Sequence, residues 1–314
     1  MPEEFSQIDI VIPVYNEGAV IRDFYQMLVA VINELPQRFT IYFVNDGSSD
    51  STGAILDQIV DSDERVVVVE LSRNYGHQTA LTAGLGLSEG EIVITMDGDG
   101  QNPPEMIPEM LNLASSGYDI VLMQRIEEQR GVFKNLTSRG FYWLINRFSG
   151  IEIPPGAADF RLMSRRAVDA IKQMGEYHRF LRGMVAWVGF PSIILPYHPH
   201  ERLGGKTKYS LKKMVQLALD AFFSFSLRPL YLMILVGGVF LFFSFAEIIY
   251  VLNFWVRGLG DTLAPGWSSL MFVVLFVGGT TMISLGIVGI YIGDIFQEVK
   301  KRPLFFIKGI KRKK

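Results

Sequence analysis

Short runs of apolar, largely β-branched residues alternate with amphipathic stretches through the first 200 positions. Ile8 to Val14, Thr40 to Val44, Val66 to Leu71, Glu91 to Met96 and Asp119 to Met123 have the length and composition of buried strands. Between them, Ala19 to Leu35, Ser51 to Val60, His77 to Leu87 and Pro104 to Ser115 carry apolar residues at helical spacing. This alternation predicts an α/β domain whose mostly parallel, Rossmann-like sheet is covered by helices on both faces. Ligands of such a sheet dock beyond the carboxyl ends of the strands, so chemistry is expected on the loops that follow them.

After residue 200 the pattern changes. Ser210 to Arg228 sets Lys212, Lys213, Gln216 and Asp220 against Leu211, Met214, Val215, Ala218, Leu219 and Phe222. That is the pattern of an amphipathic helix, lying either in a membrane interface or against a soluble domain. Pro229 to Val256 and Gly266 to Gly293 are each long enough to cross a bilayer, which takes about 20 apolar residues as helix. Glu247 interrupts the first span and is expected near its outer interface. Gly289-Ile-Tyr-Ile-Gly293 offers the second span a close-packing face, through which helices of one or two subunits can associate. The tail that follows is rich in Lys and Arg, so both termini are expected in the cytoplasm and the short link between the spans outside. The expected layout is a cytosolic domain at 1–208, a juxtamembrane amphipathic helix at 209–228, two transmembrane helices within 229–293 and a basic cytoplasmic tail at 294–314.

Composition agrees with a membrane protein, since 49% hydrophobic residues exceeds the need of an ordinary soluble domain. The net charge of −2 hides an asymmetry: residues 201–314 hold 15 Lys and Arg against 6 Asp and Glu, and the first 200 hold 15 against 26. An acidic front half argues against nucleic acid, and a basic, apolar back half suits an anionic membrane surface. With no cysteine there is no disulfide, zinc-thiolate site or thiol nucleophile. The start, MPEEFSQIDIVIPVYNE, lacks the features of a signal peptide, which keeps the N-terminal domain on the cytoplasmic side of the plasma (inner) membrane.

The predicted strand ends read Pro13-Val-Tyr-Asn-Glu17, Asn45-Asp-Gly-Ser-Ser-Asp50, Ser72-Arg-Asn-Tyr-Gly-His77 and Asp97-Gly-Asp99. No GxxxxGK[ST] loop exists, and Gly84-Leu-Gly86 falls inside a predicted helix, so neither a P-loop nor a dinucleotide fold is supported. Asp97 and Asp99 form either a plain turn or a pair of hard oxygen ligands. Mg²⁺ takes only one or two carboxylates and completes its shell with phosphate and water. Asp46 is likewise either an Asx turn or an acceptor for a base edge or ribose, and Asp50 is expected to cap the helix starting at Ser51. The histidines show no metal-ligand spacing; His77 is expected to start a helix and His178, His198 and His200 to be structural.

In this order, IPVYNE, VNDGSSDST, SRNYGHQTALTAGL, MDGDGQNPP, ADFRLMSRRAV and ERLGGKTKYS resemble the glycosyltransferase family 2 enzymes with a GT-A fold. Within that family the chain looks like the polyisoprenyl-phosphate glycosyltransferases, a group that includes dolichol-phosphate mannose synthases and bacterial undecaprenyl-phosphate glucosyltransferases. The resemblance covers about residues 8–210, and the two spans fit its bacterial branch. It implies inverting transfer of one sugar, glucose from UDP-glucose being the expected case, to a polyprenyl phosphate. By position, Pro13, Tyr15, Asn16, Glu17 and Asp46 would hold the nucleoside. Asp97 and Asp99 would hold Mg²⁺ or Mn²⁺ against the diphosphate, with Gln101 closing that loop and Asp99 counted as catalytic. Asp159 would orient the nucleophile or the sugar hydroxyls, and Arg161 would pair with a carboxylate or contact phosphate. Arg125, Arg202, Lys206 and Lys208 would neutralise the acceptor phosphate or the departing diphosphate, unless the last three only approach an anionic bilayer. Gly156 and Ala157 stand where members often carry another acid, so either Asp159 alone suffices or transfer is weak.

Two other readings stay open. A processive polysaccharide synthase would have more spans and a Q-x-x-R-W motif, which is missing. A nucleotide-sugar-binding membrane scaffold would bind donor without turnover. The identity of sugar and base does not follow from these residues.

Overall fold

The computed structural model describes residues 5–126, 157–177, 179–200, 228–257 and 266–313. Arg202, Lys206, Lys208, His178 and the expected interfacial helix up to residue 227 lie outside the described residues. The chain divides into two compact units, Met1–Ala221 with Arg302–Lys314, and Phe222–Lys301.

In the first unit, strands β1 (Gln7–Val14), β2 (Arg38–Asn45), β3 (Val66–Leu71), β4 (Ile92–Thr95) and β5 (Ile120–Arg125) alternate with helices α1 (Ile21–Ile32), α2 (Thr52–Ser62), α3 (His77–Leu87) and α4 (Ile107–Ser115). A 3₁₀ turn at Pro104–Met106 leads into α4. All nine segments fall within three residues of their expected bounds. The chain continues through β6 (Ala157–Ser164), α5 (Arg165–Gln173), α6 (Leu181–Trp187) and β7 (Ser192–Tyr197), and returns at its end as β8 (Ile307–Arg312). Among the described residues the sheet has eight strands in the order β7-β5-β6-β4-β1-β2-β3-β8.

Hydrophobic burial explains the register. All but the first residue of β1 are buried, as expected for a central strand covered on both faces. From α1, Ile21, Phe24, Leu28 and Ile32 are buried at spacings of three and four. Removing those four side chains from water is worth roughly 6–12 kcal/mol before entropy is charged. α3 lies unusually close to the sheet: a Cβ on Gly84 would stand 2.2 Å from Val11 Cγ1.

Among the described residues six of the eight strands run the same way, so the sheet is mostly parallel as expected; β6, antiparallel to β4 and β5, and β8, antiparallel to β3, are reversed. One expectation changes. The segment expected as a tail from residue 294 instead continues the second apolar helix to Lys300 and then forms β8. Lys311 Nζ reaches Asp57 Oδ1 at 2.7 Å and Glu70 Oε1 at 2.9 Å. Lysines that look solvated in sequence thus find acids on α2 and β3, while blunting an exposed edge.

The second unit consists of α7 (Arg228–Val256, 29 residues) and α8 (Trp267–Lys300, 34 residues). Among the described residues, one stretch has the length and apolarity of a membrane-crossing helix: Phe276–Lys300 in α8, with mean hydropathy 1.6. Leu285, Ile292 and Ile295 are among its exposed apolar side chains.

Candidate active site

β1, β2, β3 and β4 are mutually parallel, so the loops after them open on one edge of the sheet. β6 comes to that edge the other way. Being antiparallel to β4, with Thr95 opposite Arg161, it delivers its first residues there, and Asp159 arrives beside the 97–99 turn. Thr95 Oγ1 donates to the carbonyl of Asp159 at 2.6 Å and fixes this placement.

The loops after β1 and β2 are tied together. Ser49 N–H donates to Asn16 Oδ1 (2.8 Å), Asn16 N–H to Ser48 Oγ (3.0 Å), Glu17 N–H to Thr52 Oγ1 (2.9 Å) and Gly18 N–H to Asp50 Oδ2 (3.0 Å). Asn16 adopts φ 53°, a left-handed conformation that asparagine tolerates better than most residues. Asp50 also accepts the Thr52 N–H at 3.0 Å, although the N-cap position of α2 is Ser51 and not Asp50. Tyr15 stands exposed at the rim. Pro13, by contrast, is buried in β1. Val11 still bonds Met96, but two residues on, β4 has turned away, so the missing N–H of Pro13 leaves no donor unpaired.

Asp46 is buried, and its two carboxylate oxygens accept the N–H groups of Tyr75 (2.7 Å) and Gly76 (2.8 Å). Burial raises its pKa, although these two bonds lower it in part. Asp46 therefore shapes the 72–76 loop from below. Gly47 beside it has φ +67°, and a Cβ there would lie 2.5 Å from the carbonyl carbon of Arg73. Gly47→Ala is expected to cost at least about 1–2 kcal/mol from the left-handed backbone alone. It should lower the melting temperature of the full-length protein by several degrees in a thermal-denaturation scan; an unchanged midpoint contradicts the close approach of these loops.

The 97–99 turn presses down on β1, since a Cβ on Gly98 would meet Val14 Cγ1 at 3.0 Å. Asp97 and Asp99 remain half-exposed above it. Asp99 Oδ1 accepts the Gln101 N–H at 3.0 Å, so Gln101 does close this loop. The carbonyl of Gln101 accepts from His200 N–H at 3.1 Å, which draws the segment after β7 to the same edge. Arg125 ends β5 opposite Tyr197, and is likewise on this edge.

His77, expected only to start a helix, does so and also enters the site. Its Nε2 lies 3.4 Å from Asp97 Oδ1 and 3.4 Å from Asp159 Oδ2. Burial pushes its pKa down, but the two carboxylates outweigh burial and hold it above the usual histidine value. Burial raises the pKa of Asp97, with Asp159 and Asp99 adding to the rise and His77 opposing it.

Asp159 is buried and saturated with donors. Arg161 Nη2 makes a short ion pair with Oδ1, Arg182 Nη2 reaches Oδ2 at 2.9 Å, and Gln78 Nε2 donates to Oδ2 at 3.0 Å. Burial opposes its charge, yet Arg182, His77 and Arg161 together hold its pKa well below the carboxylate range. With so many donors in place Asp159 is a holder of cationic side chains, and Arg161 pairs with a carboxylate as expected. Arg182 and Gln78 were not legible as site residues. Gln78 lies one residue past a recognised strand-end loop, but Arg182 sits on α6, at no strand end, and has no signal in its own neighbourhood.

Residues 9–172 match the family described as glycosyl transferase family 2. The chain is 39% identical to the uncharacterized glycosyltransferase YkcC of Bacillus subtilis (strain 168), over 98% of this chain and 96% of that one. It is 36% identical to the prophage bactoprenol glucosyl transferase homolog of Escherichia coli (strain K12), over 98% and 100%. It is 37% identical to the bactoprenol glucosyl transferase of Shigella phage SfII, over 96% and 97%. With the acidic turn of β4 set among His77, Arg161 and Arg182, and with likeness of this extent along nearly its whole length, the chain belongs to glycosyl transferase family 2.

Proposed function

We propose that this protein is a membrane-anchored, inverting glucosyltransferase with a GT-A fold, which moves glucose from UDP-glucose to polyprenyl phosphate at the cytoplasmic membrane face. The observation that carries this reading is the convergence of Asp97, Asp99 and Asp159 with His77, Arg161 and Arg182 on one sheet edge. The names of the Escherichia coli and phage relatives, bactoprenol glucosyl transferases, supply the sugar and the lipid. α7, whose only charged residue beyond Arg228 is Glu247, is read as a second membrane crossing, so that α7 and α8 form a hairpin.

Asp97 and Asp99 would hold a Mg²⁺ or Mn²⁺ ion. Among the described residues no group of three or more His, Asp or Glu is arranged as a metal cage. Two half-exposed carboxylates, whose mutual repulsion helps raise the pKa of Asp97, fit a cation whose shell is completed by substrate phosphate. When bound, such a cation supplies Lewis-acid neutralisation of the diphosphate leaving group.

The chain's own residues do the positioning. Tyr15, Asn16 and Glu17 on the cross-tied loops receive the nucleoside, and Asp46 holds the neighbouring 72–76 loop through the Tyr75 and Gly76 amides. Asp159 holds Arg161, Arg182 and His77 in place beside the acids, so positive charge is organised before substrate arrives. The acceptor needs orientation more than deprotonation, because a phosphate monoester with a second pKa near 6 is already largely ionised at neutral pH. Arg125, Arg202, Lys206 and Lys208 are assigned to that orientation. A phosphate oxygen attacks the anomeric carbon from the face opposite the diphosphate, the bond to the diphosphate breaks, and UDP leaves.

The test offers radiolabelled UDP-glucose, UDP-galactose and GDP-mannose to vesicles holding the protein and polyprenyl phosphate, with and without EDTA. Labelled lipid is expected from UDP-glucose alone and is expected to vanish on chelation. No lipid product from any donor overturns the assignment as a transferase, and a product indifferent to EDTA removes the metal.

A further inference from the structure

α3, α5, α6 and residues 303–305 line an open cleft of about 550 Å³, within the range of roughly 300–1,000 Å³ usual for small-ligand sites. Leu85, Ile171, Leu181 and Leu304 are among its apolar lining residues. Lys172 and Arg179 are its charged lining residues, and no acid lines it among the described residues. The pocket is therefore greasy inside and cationic in sign.

Gly86 lies on its wall and has no structural reason to be glycine. Its neighbour Gly84 is required, since a Cβ there would collide with Val11, but a Cβ on Gly86 would meet nothing within 4 Å. Within a helix, glycine costs about 1 kcal/mol relative to alanine. Gly86 is exposed on the pocket wall, and a side chain there would project into open space.

We propose that this pocket binds an anionic phospholipid, with an acyl chain along the apolar wall and the phosphate toward Lys172 and Arg179. Charge complementarity selects an anion, and the apolar lining selects one that carries a hydrocarbon chain. Pro303, Leu304 and Phe305 follow within a few residues of the end of the apolar stretch Phe276–Lys300, so bilayer lipid is the amphiphile this part of the chain meets. The proposal rests on the membrane reading of α8 and is independent of the sugar and the acceptor.

The pocket is wired to the site. Leu181 N–H donates to Gln78 Oε1 at 3.1 Å, and Arg161 Nη1 donates to the Leu181 carbonyl at 3.3 Å. Gln78 and Arg161 are both partners of Asp159. A lipid seated against Leu181 braces the same backbone on which these two residues depend, and its occupancy is expected to raise turnover.

The test titrates the full-length protein, in neutral detergent, with short-chain phosphatidylglycerol, with phosphatidylcholine of the same chains, and with glycerol phosphate. Phosphatidylglycerol is expected to bind in preference to both. Gly86→Leu, whose Cβ meets nothing within 4 Å, and Lys172→Gln, which also gives up the bond from Nζ to the Ser88 carbonyl, are each expected to weaken it by about tenfold or more, the first at unchanged melting temperature. In vesicles, stimulation of transfer by phosphatidylglycerol is expected to disappear in Gly86→Leu, with the rate in neutral lipid retained. Equal binding of phosphatidylcholine, equal binding of glycerol phosphate, or wild-type affinity in Gly86→Leu each overturns the proposal. Should the wild type bind phosphatidylglycerol selectively yet glycosylate no lipid, the lipid site stands and the transferase reading falls.

Discussion

Replacing Asp99 with alanine is expected to lower the rate of sugar transfer to polyprenyl phosphate about 10³-fold or more, the equivalent of roughly 4 kcal/mol of lost charge stabilisation at the leaving group. Membrane insertion and melting temperature should be nearly unchanged. The side chain is half-exposed, and the bond it accepts from the Gln101 N–H has a net worth of about 0.5–1.5 kcal/mol. Initial rates in vesicles, set beside a thermal scan of the same preparation, separate the two effects. Transfer within a few fold of wild type would falsify the metal assignment. A matching collapse of the melting temperature would instead make the turn a structural device.

The second large effect falls on stability. Asp159→Ala is expected to destabilise the catalytic unit by about 3–5 kcal/mol, the usual penalty for removing one partner of a buried ion pair. Arg161 is only 1% exposed, and the loss of Asp159 strands its charge, so the melting temperature should fall by roughly 10 °C or more. A pH dependence accompanies this. The folded pKa of Asp159 is depressed, so its contribution is fully present above the unfolded value near 4 and is lost as pH falls toward the folded value. Wild-type stability should decline below about pH 4 more steeply than that of Asp159→Asn. Parallel pH curves for the two proteins, or an alanine variant that melts within two or three degrees of wild type, would remove the hub role.

The elements that sequence patterning located best are those with local signals. β3 and α3 fall where the apolar runs place them, and the loops after β1 to β4 converge on one edge as a parallel arrangement requires. The bond between Gln101 N–H and Asp99 in the acidic turn was legible because the two lie within two residues of each other. What was hidden is long-range. Arg182 meets Asp159 across 23 residues, and Gln78 meets it across 81. Asp46 reads as an Asx turn or an acceptor for a base edge or ribose, and the bonds that its carboxylate accepts from the Tyr75 and Gly76 amides, 29 and 30 residues away, have no local signal. The antiparallel entry of β6 is equally invisible in a single sequence, because pairing partners are set by tertiary packing. Residues 307–312 defeat pattern reading for an electrostatic reason, since a lysine-rich segment looks solvated until the acids it meets on α2 and β3 are known.

That last strand bears on how the protein is made. Residues 307–312 are translated after both apolar helices, yet they hydrogen-bond to β3, which is made from residues 66–71. The sheet keeps a bare margin at β3 until residues 307–312 have been made, after both α7 and α8. Completion of the catalytic unit is thereby ordered after helix synthesis, and a chain released early, short of its final strand, would carry an unprotected β-edge open to proteases and chaperones.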